Sequence, residues 1–308
     1  KEEEVITDKL VIGVDIGGTK IATGILDRYG NIIDKEVLFT KPEEGQIAVI
    51  NRILSSIEFL IGKHNLSREE ILAIGVGVPG SVDLRTGIVV LAPNIFWVNV
   101  PLRDVLEEHF RCKVYLDYDT KASALAEYIK GAGRGMANFA YVTISTGIGC
   151  GLVLNGKVFR GSLNTAGEIG HLVVVPNGPL CTCGNQGCLQ MISSGPAIVR
   201  QVKEAIKKGH HSIIMNYVDN VEEIRAEHVI QALKDLDPLA LSIFDNSMLY
   251  LSLGISHMVN LLNLDLVILG GGIVEGADGL VLEYVKEKII KYIYPPSRSC
   301  FSITNSQI

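Results

Sequence analysis

No stripe of lysine and arginine runs through this 308-residue sequence; its 28 Lys and Arg are scattered among 34 Asp and Glu, for a net charge of −6. A phosphate backbone needs clustered positive charge, so nucleic acid is not an expected partner. The opening KEEEVITDKL is charged and has no apolar signal core behind it. A clean bilayer-spanning run is lacking too. The greasiest stretch, Leu249 to Val274, is interrupted by His257, Asn260, Asn263 and Asp265, and reads as a buried helix followed by a buried strand. A soluble, cytoplasmic protein with no membrane partner is expected. Cysteine is sparse outside one place. Cys112, Cys150 and Cys300 stand alone, whereas Cys181, Cys183 and Cys188 fall within eight residues. Secreted disulfide frameworks spread their cysteines over a small chain, so this cluster reads as a metal knuckle. The sequence has no initiator Met and stops at Phe301–Ile308, a strand pattern with nothing after it, so an incomplete C-terminus is expected.

What is present is globular. Hydrophobic residues make up 47%, charged residues 20%, and 32 are glycine, enough for two domains with substantial cores. Two segments share a pattern. Leu10-Val-Ile-Gly-Val-Asp15-Ile-Gly-Gly-Thr-Lys20 leads into Ile21–Leu26, a turn at Asp27–Asn31, and Ile32-Ile33. Phe139–Ile144 leads into Ser145-Thr-Gly-Ile-Gly-Cys-Gly151, Leu152–Leu154, a turn at Asn155-Gly156, and Lys157–Phe159. Each reads as strand, small-residue turn, strand, hairpin turn, strand. Helix and strand patterns alternate after each: helices over 45–63, 102–110, 122–130, 196–208, 225–233 and 239–262, and strands over 71–78, 113–116 and 266–269. The expectation is an α/β protein with mixed sheets, two related lobes (1–119 and 120–308) and a cleft between them.

Several motifs carry chemistry. In Asp15-Ile-Gly17-Gly18-Thr19-Lys20 two glycines allow close approach to a phosphate, Thr19 and Lys20 supply a hydroxyl and a positive charge, and Asp15 is placed to hold Mg²⁺. A tight hairpin with glycines for geometry alone is the other reading. The second turn, with Thr146, Gly147 and Gly149, stands in the equivalent place, and Gly270-Gly271-Gly272 offers backbone against which an adenosine would lie. A plain strand-to-helix turn accounts for that glycine run equally. Asp119, ending a strand, is placed to take a proton from a substrate hydroxyl, but spacing alone favours a helix cap at Asp117 or Asp119. Cys181, Cys183 and Cys188 on a loop bent by Gly184 and Gly187, with His171 ten residues upstream, make a four-ligand zinc set.

These residues together resemble the ROK family of the actin-like ATPase superfamily, from about Val11 to Ile303. The resemblance rests on Asp15–Lys20, on Gly75-Val-Gly-Val-Pro-Gly80 with Ala92-Pro-Asn94-Ile-Phe-Trp97, and on Gly167-Glu168-Ile-Gly-His171 joined to the Cys181–Cys188 knuckle. It implies a two-lobed, ribonuclease H-like fold, with Asp119 as catalytic base. It also implies sugar contacts from Gly80, Asn94, Tyr118, Glu168, His171 and Gln190, zinc on His171, Cys181, Cys183 and Cys188, and ATP on both glycine turns and on Gly271 and Gly272. Three departures stand out: Tyr118 replaces the family's Asn, Gln190 replaces its Glu, and Ser145 and Cys150 replace glycines of the second turn. The expected activity is ATP- and Mg²⁺-dependent phosphorylation of a hexose, glucose at its 6-hydroxyl first, with an N-acetylhexosamine or fructose kinase and a sugar-binding protein without catalysis as alternatives. Small-molecule sugar and ATP are the expected partners, and the expected assembly is a homo-oligomer, dimer or tetramer.

Overall fold

The computed structural model describes residues 9–308; the charged opening, residues 1–8, lies outside the described residues. The chain divides into two units, one running to Ala122 and taking in Gly161–Thr165, the other made of Ser123–Arg160 and Ala166–Ile308.

In the first unit, β1 (Leu10–Ile16), β2 (Lys20–Leu26) and β3 (Ile32–Phe39) form an antiparallel meander. Ile12, Val14 and Ile16 of β1 alternate into the core, as do Ile21, Thr23 and Ile25 of β2. The amphipathic helix α1 (Gln46–Lys63) covers that face with Val49, Ile50, Ile53, Ile57 and Leu60. Each such buried aliphatic side chain is worth roughly 1.5–3 kcal/mol. Between β2 and α1 a buried polar pair satisfies itself, Thr23 Oγ1 lying 2.7 Å from Ser56 Oγ. Next comes β4 (Ile71–Val78), parallel to β1. The chain then forms a small antiparallel sheet of β5 (Ser81–Asp83), β6 (Ile88–Ala92) and β7 (Trp97–Val100), followed by helix α2 (Leu102–Phe110). Strand β8 (Lys113–Tyr118) returns parallel to β4 and completes the order β3-β2-β1-β4-β8. Helix α3 (Asp119–Ile129) starts at the next residue.

The second unit repeats this order. The hairpins of β9 (Phe139–Ile144), β10 (Ile148–Leu154) and β11 (Lys157–Phe159) are antiparallel. Helices α4 (Gln190–Ser193), α5 (Gly195–Lys207), α6 (Ala226–Lys234) and α7 (Pro238–Leu262) precede β12 (Leu266–Gly270), which runs parallel to β9. After α8 (Gly272–Gly276) and α9 (Leu280–Ile289), β13 (Ser302–Asn305) pairs parallel to β12, giving β11-β10-β9-β12-β13.

By length and composition α7 is apolar enough to cross a membrane, but half of its most apolar window is buried. Phe244, Met248, Leu251, Ile255 and Val259 place it in the core of this unit. It starts where it does because Pro238 opens its first turn and Asp237 accepts the Ala240 N–H at 2.8 Å. Glu127, fully buried on α3, fastens the far edge of the sheet: Oε1 accepts from Ser306 Oγ (2.5 Å) and Gln307 N (3.3 Å), and Oε2 from Ala132 N (2.7 Å).

Candidate active site and metal centre

The first glycine turn joins β1 to β2. Ile16 pairs with Ile21, leaving Gly17, Gly18, Thr19 and Lys20 between them, and Gly17 N donates to Lys20 O at 2.8 Å. Thr19 and Lys20 are exposed. A Cβ on Gly17 would stand 3.0 Å from Lys20 O, and one on Gly18 would stand 3.4 Å from Asn94 Cβ. Asn94, carried on the short helical turn Pro93–Ile95, therefore lies against the loop. Gly80 serves a different close approach, since a Cβ there would fall 2.2 Å from Leu91 O.

Sheet register sets the carboxylates. Asp15 of β1 is level with Gly77 of β4, and Gly77 with Asp117 of β8; Asp119 follows as the first residue of α3. A Cβ on Gly77 would lie 3.5 Å from both Asp15 Oδ1 and Asp119 Cα. Glycine at 77, which lies inside the Gly75–Gly80 stretch of the resemblance but is assigned no role by it, thus keeps free the space between two acidic positions. Asp15 keeps exposed surface, yet the protein packed around it raises its pKa above the ordinary carboxylate value by desolvation. Asp119 Oδ1 accepts the Thr120 N–H at 2.6 Å and Asp117 Oδ1 the Tyr118 N–H at 2.9 Å. Tyr118 has an unforeseen neighbour. Lys121, 1% exposed, holds its ammonium 4.5 Å from the centre of the Tyr118 ring, a cation–π contact in a desolvated place.

In the second unit, Ile144 pairs with Ile148 and the turn is Ser145, Thr146 and Gly147, closed by Ser145 N donating to Gly147 O at 2.9 Å. Thr146 is exposed at its tip, and Gly149 follows in β10 opposite Thr143. The start of α5 fastens the turn from outside, Gly195 N donating to Ser145 O at 2.9 Å. Gly271, at φ 91°, caps α8, and a Cβ there would meet Thr143 Oγ1 at 2.4 Å and Ile144 O at 2.8 Å. Only glycine meets both demands. Gly272 follows, its Cβ position 3.7 Å from Ser145 Oγ, so the second turn and the β12–α8 glycines are neighbours.

The four candidate metal ligands converge. One ligand atom from each of His171, Cys181, Cys183 and Cys188 lies within 4.8 Å of all the others. Cys181 Sγ is 3.6 Å from His171 Nδ1, and Cys183 Sγ is 3.7 Å from Cys188 Sγ. A disulfide would need about 2.05 Å, whereas a tetrahedral zinc with Zn–S bonds of about 2.3 Å holds its sulfurs about 3.8 Å apart. The loop takes this shape through Gly184 (φ 92°) and through Gly187 (φ 75°), where a Cβ would clash with the Val175 carbonyl oxygen. Burial opposes ionisation of Cys181, but hydrogen bonds from Cys183, Gln190 and His171 hold its thiol down to about 6. Burial and the neighbouring thiols push Cys188 up to about 12. Three thiols and an imidazole within reach of one point are a donor set that fits zinc. On the imidazole's other side, Glu168 Oε2 stands 3.9 Å from His171 Nε2. Gln190 opens α4 and donates Nε2 to Cys181 Sγ at 3.3 Å; its Oε1 fills the space beside Gly147 and Gly170. That side chain therefore links the knuckle to the second turn.

The profile of the ROK family matches residues 11–307. The chain belongs to this family. It is 36% identical over 300 residues to a glucokinase of Thermotoga maritima, covering 97% of this chain and 92% of that one. It is also 34% identical over 261 residues to a putative xylose repressor of a Caldicellulosiruptor species, covering 85% of this chain and 65% of the repressor. Among solved structures, a ROK family glucokinase from Streptomyces griseus in complex with glucose and AMPPNP superimposes with a TM-score of 0.86 at 31% identity, covering 97% and 94% of the two chains. The fold is thus the two-lobed actin-like ATPase fold that the resemblance implied.

Proposed function

We propose that this protein is an ATP-dependent hexose kinase, with glucose the first candidate acceptor at its 6-hydroxyl. The observation that carries the reading is the pair of acidic positions, Asp15 and Asp119, held on either side of Gly77 at the strand ends beside a glycine turn. Glucokinase relatives of matching length support it. Asp119 takes the proton of the acceptor hydroxyl; that oxygen forms the new bond to the γ-phosphorus, and the bond from phosphorus to the β–γ bridging oxygen breaks to release ADP. Asp15 is the residue to hold Mg²⁺, which when bound neutralises phosphate charge. Gly17, Gly18, Thr19 and Lys20 bind phosphate oxygens from one turn and Thr146, Gly147 and Gly149 from the other, with adenosine on Gly271 and Gly272. Asn94, Tyr118, Glu168, His171, Gln190 and the backbone at Gly80 are the proposed sugar contacts.

Zinc on His171, Cys181, Cys183 and Cys188 is structural in this reading, because four protein ligands leave no open position. Glu168, three residues before His171, is then fixed by the same centre. A cytoplasmic homo-oligomer with no nucleic-acid partner completes the proposal. A second reading, a sugar-binding protein without phosphotransfer, draws on Tyr118, turned towards buried Lys121, and on Gln190, whose amide nitrogen is committed to Cys181. A panel of hexoses, N-acetylhexosamines and fructose assayed with ATP separates the two. Turnover of any member supports the kinase, and binding without turnover of all of them supports the other reading.

A further inference from the structure

Three hydrogen bonds outside every recognised motif converge on one residue behind the first glycine turn. Thr40, the residue after β3, is fully buried. Its Oγ1 donates to Gly17 O at 2.7 Å and its N–H to Thr19 O at 2.9 Å. Its own carbonyl accepts from Arg52 Nη1 at 3.0 Å, and Arg52 of α1 is in turn ion-paired with Glu44. The turn is thus fastened from behind at two carbonyls, and the fastening is anchored to a helix.

The stereochemistry of the peptide group gives this a direction. In a planar trans peptide the C=O and the following N–H point opposite ways. With the Gly17 carbonyl held on Thr40, the Gly18 N–H must face away from Thr40. Among the described residues neither the Gly18 nor the Thr19 N–H finds an acceptor. Two adjacent N–H groups without an acceptor, on a glycine-bent loop next to Lys20 in sequence, are donors available to an anionic oxygen. We infer that Thr40, braced by Arg52, is a positioning residue that presents the Gly18 and Thr19 N–H groups to a nucleotide phosphate. This rests on the kinase reading above and adds a determinant of nucleotide affinity to it. Thr40 touches no substrate; it acts through the turn.

Thr40→Val keeps size and β-branching and removes only the hydroxyl, and Thr40→Ser restores it. Steady-state kinetics with ATP and the best sugar, together with calorimetry of Mg²⁺–ADP binding, read the effect. Thr40→Val should raise the KM for ATP and the Kd for ADP about tenfold, the worth of one buried hydrogen bond, with the KM for sugar changed less than twofold. Thr40→Ser should recover most of the nucleotide affinity, and Arg52→Met should weaken nucleotide a few-fold in the same direction. Equal rises in both KM values, an unchanged KM for ATP, or a serine variant as impaired as valine would each overturn the role. If the parent transfers phosphate to no sugar, the kinase reading fails and the calorimetry still decides: ADP bound by the parent and weakened in Thr40→Val supports the role, and no ADP binding by the parent defeats it.

Discussion

The two five-stranded sheets share one order and one set of strand directions, yet the row at their strand ends differs in charge. In the first unit it reads Asp15, Gly77, Asp117 across β1, β4 and β8. In the second, Thr143 of β9 is level with Gly270 of β12, and Ser306 N donates to Leu269 O just beyond β13. Glycine occupies the middle position both times, while carboxylates on its flanks are replaced by hydroxyls. The turns differ in the same spirit. The hydroxyl and backbone N–H of Thr40 tie the first one down, whereas backbone from α5 and the close approach of Gly271 hold the second. One scaffold, used twice, carries carboxylates in the row itself in the first unit and hydroxyls in the second, where the carboxylate of Glu127 stands behind Ser306. The division of labour lies in a few side chains on identical frames.

The sharpest way to break that contrast is to neutralise the acidic row. Asp119→Asn should lower kcat by about 10²–10⁴-fold, the usual worth of a general base, while sugar affinity by calorimetry stays within a few-fold. Turnover near that of the parent would remove Asp119 from the chemistry. Asp15→Asn should lower kcat/KM by about 10²-fold while moving stability the other way. The folded chain raises the Asp15 pKa by desolvation, so it binds that proton more tightly than the unfolded chain does. Stability is therefore lost as pH rises through the folded value. Asn cannot ionise, so Tm by calorimetry at neutral pH should rise, with the gain vanishing in acid; a lower Tm at neutral pH would contradict this.

In the second unit the contrast predicts fragility of a different kind. Cys183→Ser should reduce bound zinc from about one per chain and lower Tm with it, because ligand binding and loop folding are coupled. Chelation of the parent should reproduce the loss, and full stability of metal-free protein would refute the site. The smallest effects belong to the substituted sugar positions. Tyr118→Asn removes the ring from over the Lys121 ammonium and should cost about 1–2 kcal/mol in a denaturant titration. Gln190→Glu restores a charged acceptor and, combined with Tyr118→Asn, should tighten glucose by roughly tenfold if these positions face the sugar. Unchanged glucose affinity in the double variant would place them elsewhere.

What could be read in the sequence was local. The paired strand–turn–strand patterns, the alternation of helices and strands, and the cysteine knuckle all rest on spacings within about twenty residues, and the structure contains them. Asp119 was ambiguous because a strand end and a helix start coincide there, β8 closing at Tyr118 and α3 opening at Asp119. Thr40 and Lys121 carried no signal, and Gly77 stood inside the Gly75–Gly80 stretch with no role attached to it. Their importance comes from register across β1, β4 and β8, from a carbonyl more than twenty residues away, and from burial of an ordinarily exposed residue type. The small sheet β5–β6–β7 was hidden for a related reason: its strands are of three to five residues, too short for periodicity to declare.

The excursion of Gly161–Thr165 into the first unit has a consequence for how the protein is made. Synthesis proceeds from the N-terminus, so the first unit is still short of five residues when Ala122 leaves the ribosome. Those residues, Asn164 with only 8% of its surface exposed among them, arrive only after β9, β10 and β11 have been translated. The contacts that Gly161–Thr165 make in the N-terminal unit are therefore formed only after the first three strands of the second unit have been translated, which departs from the ordinary sequence of one domain completed and then the next.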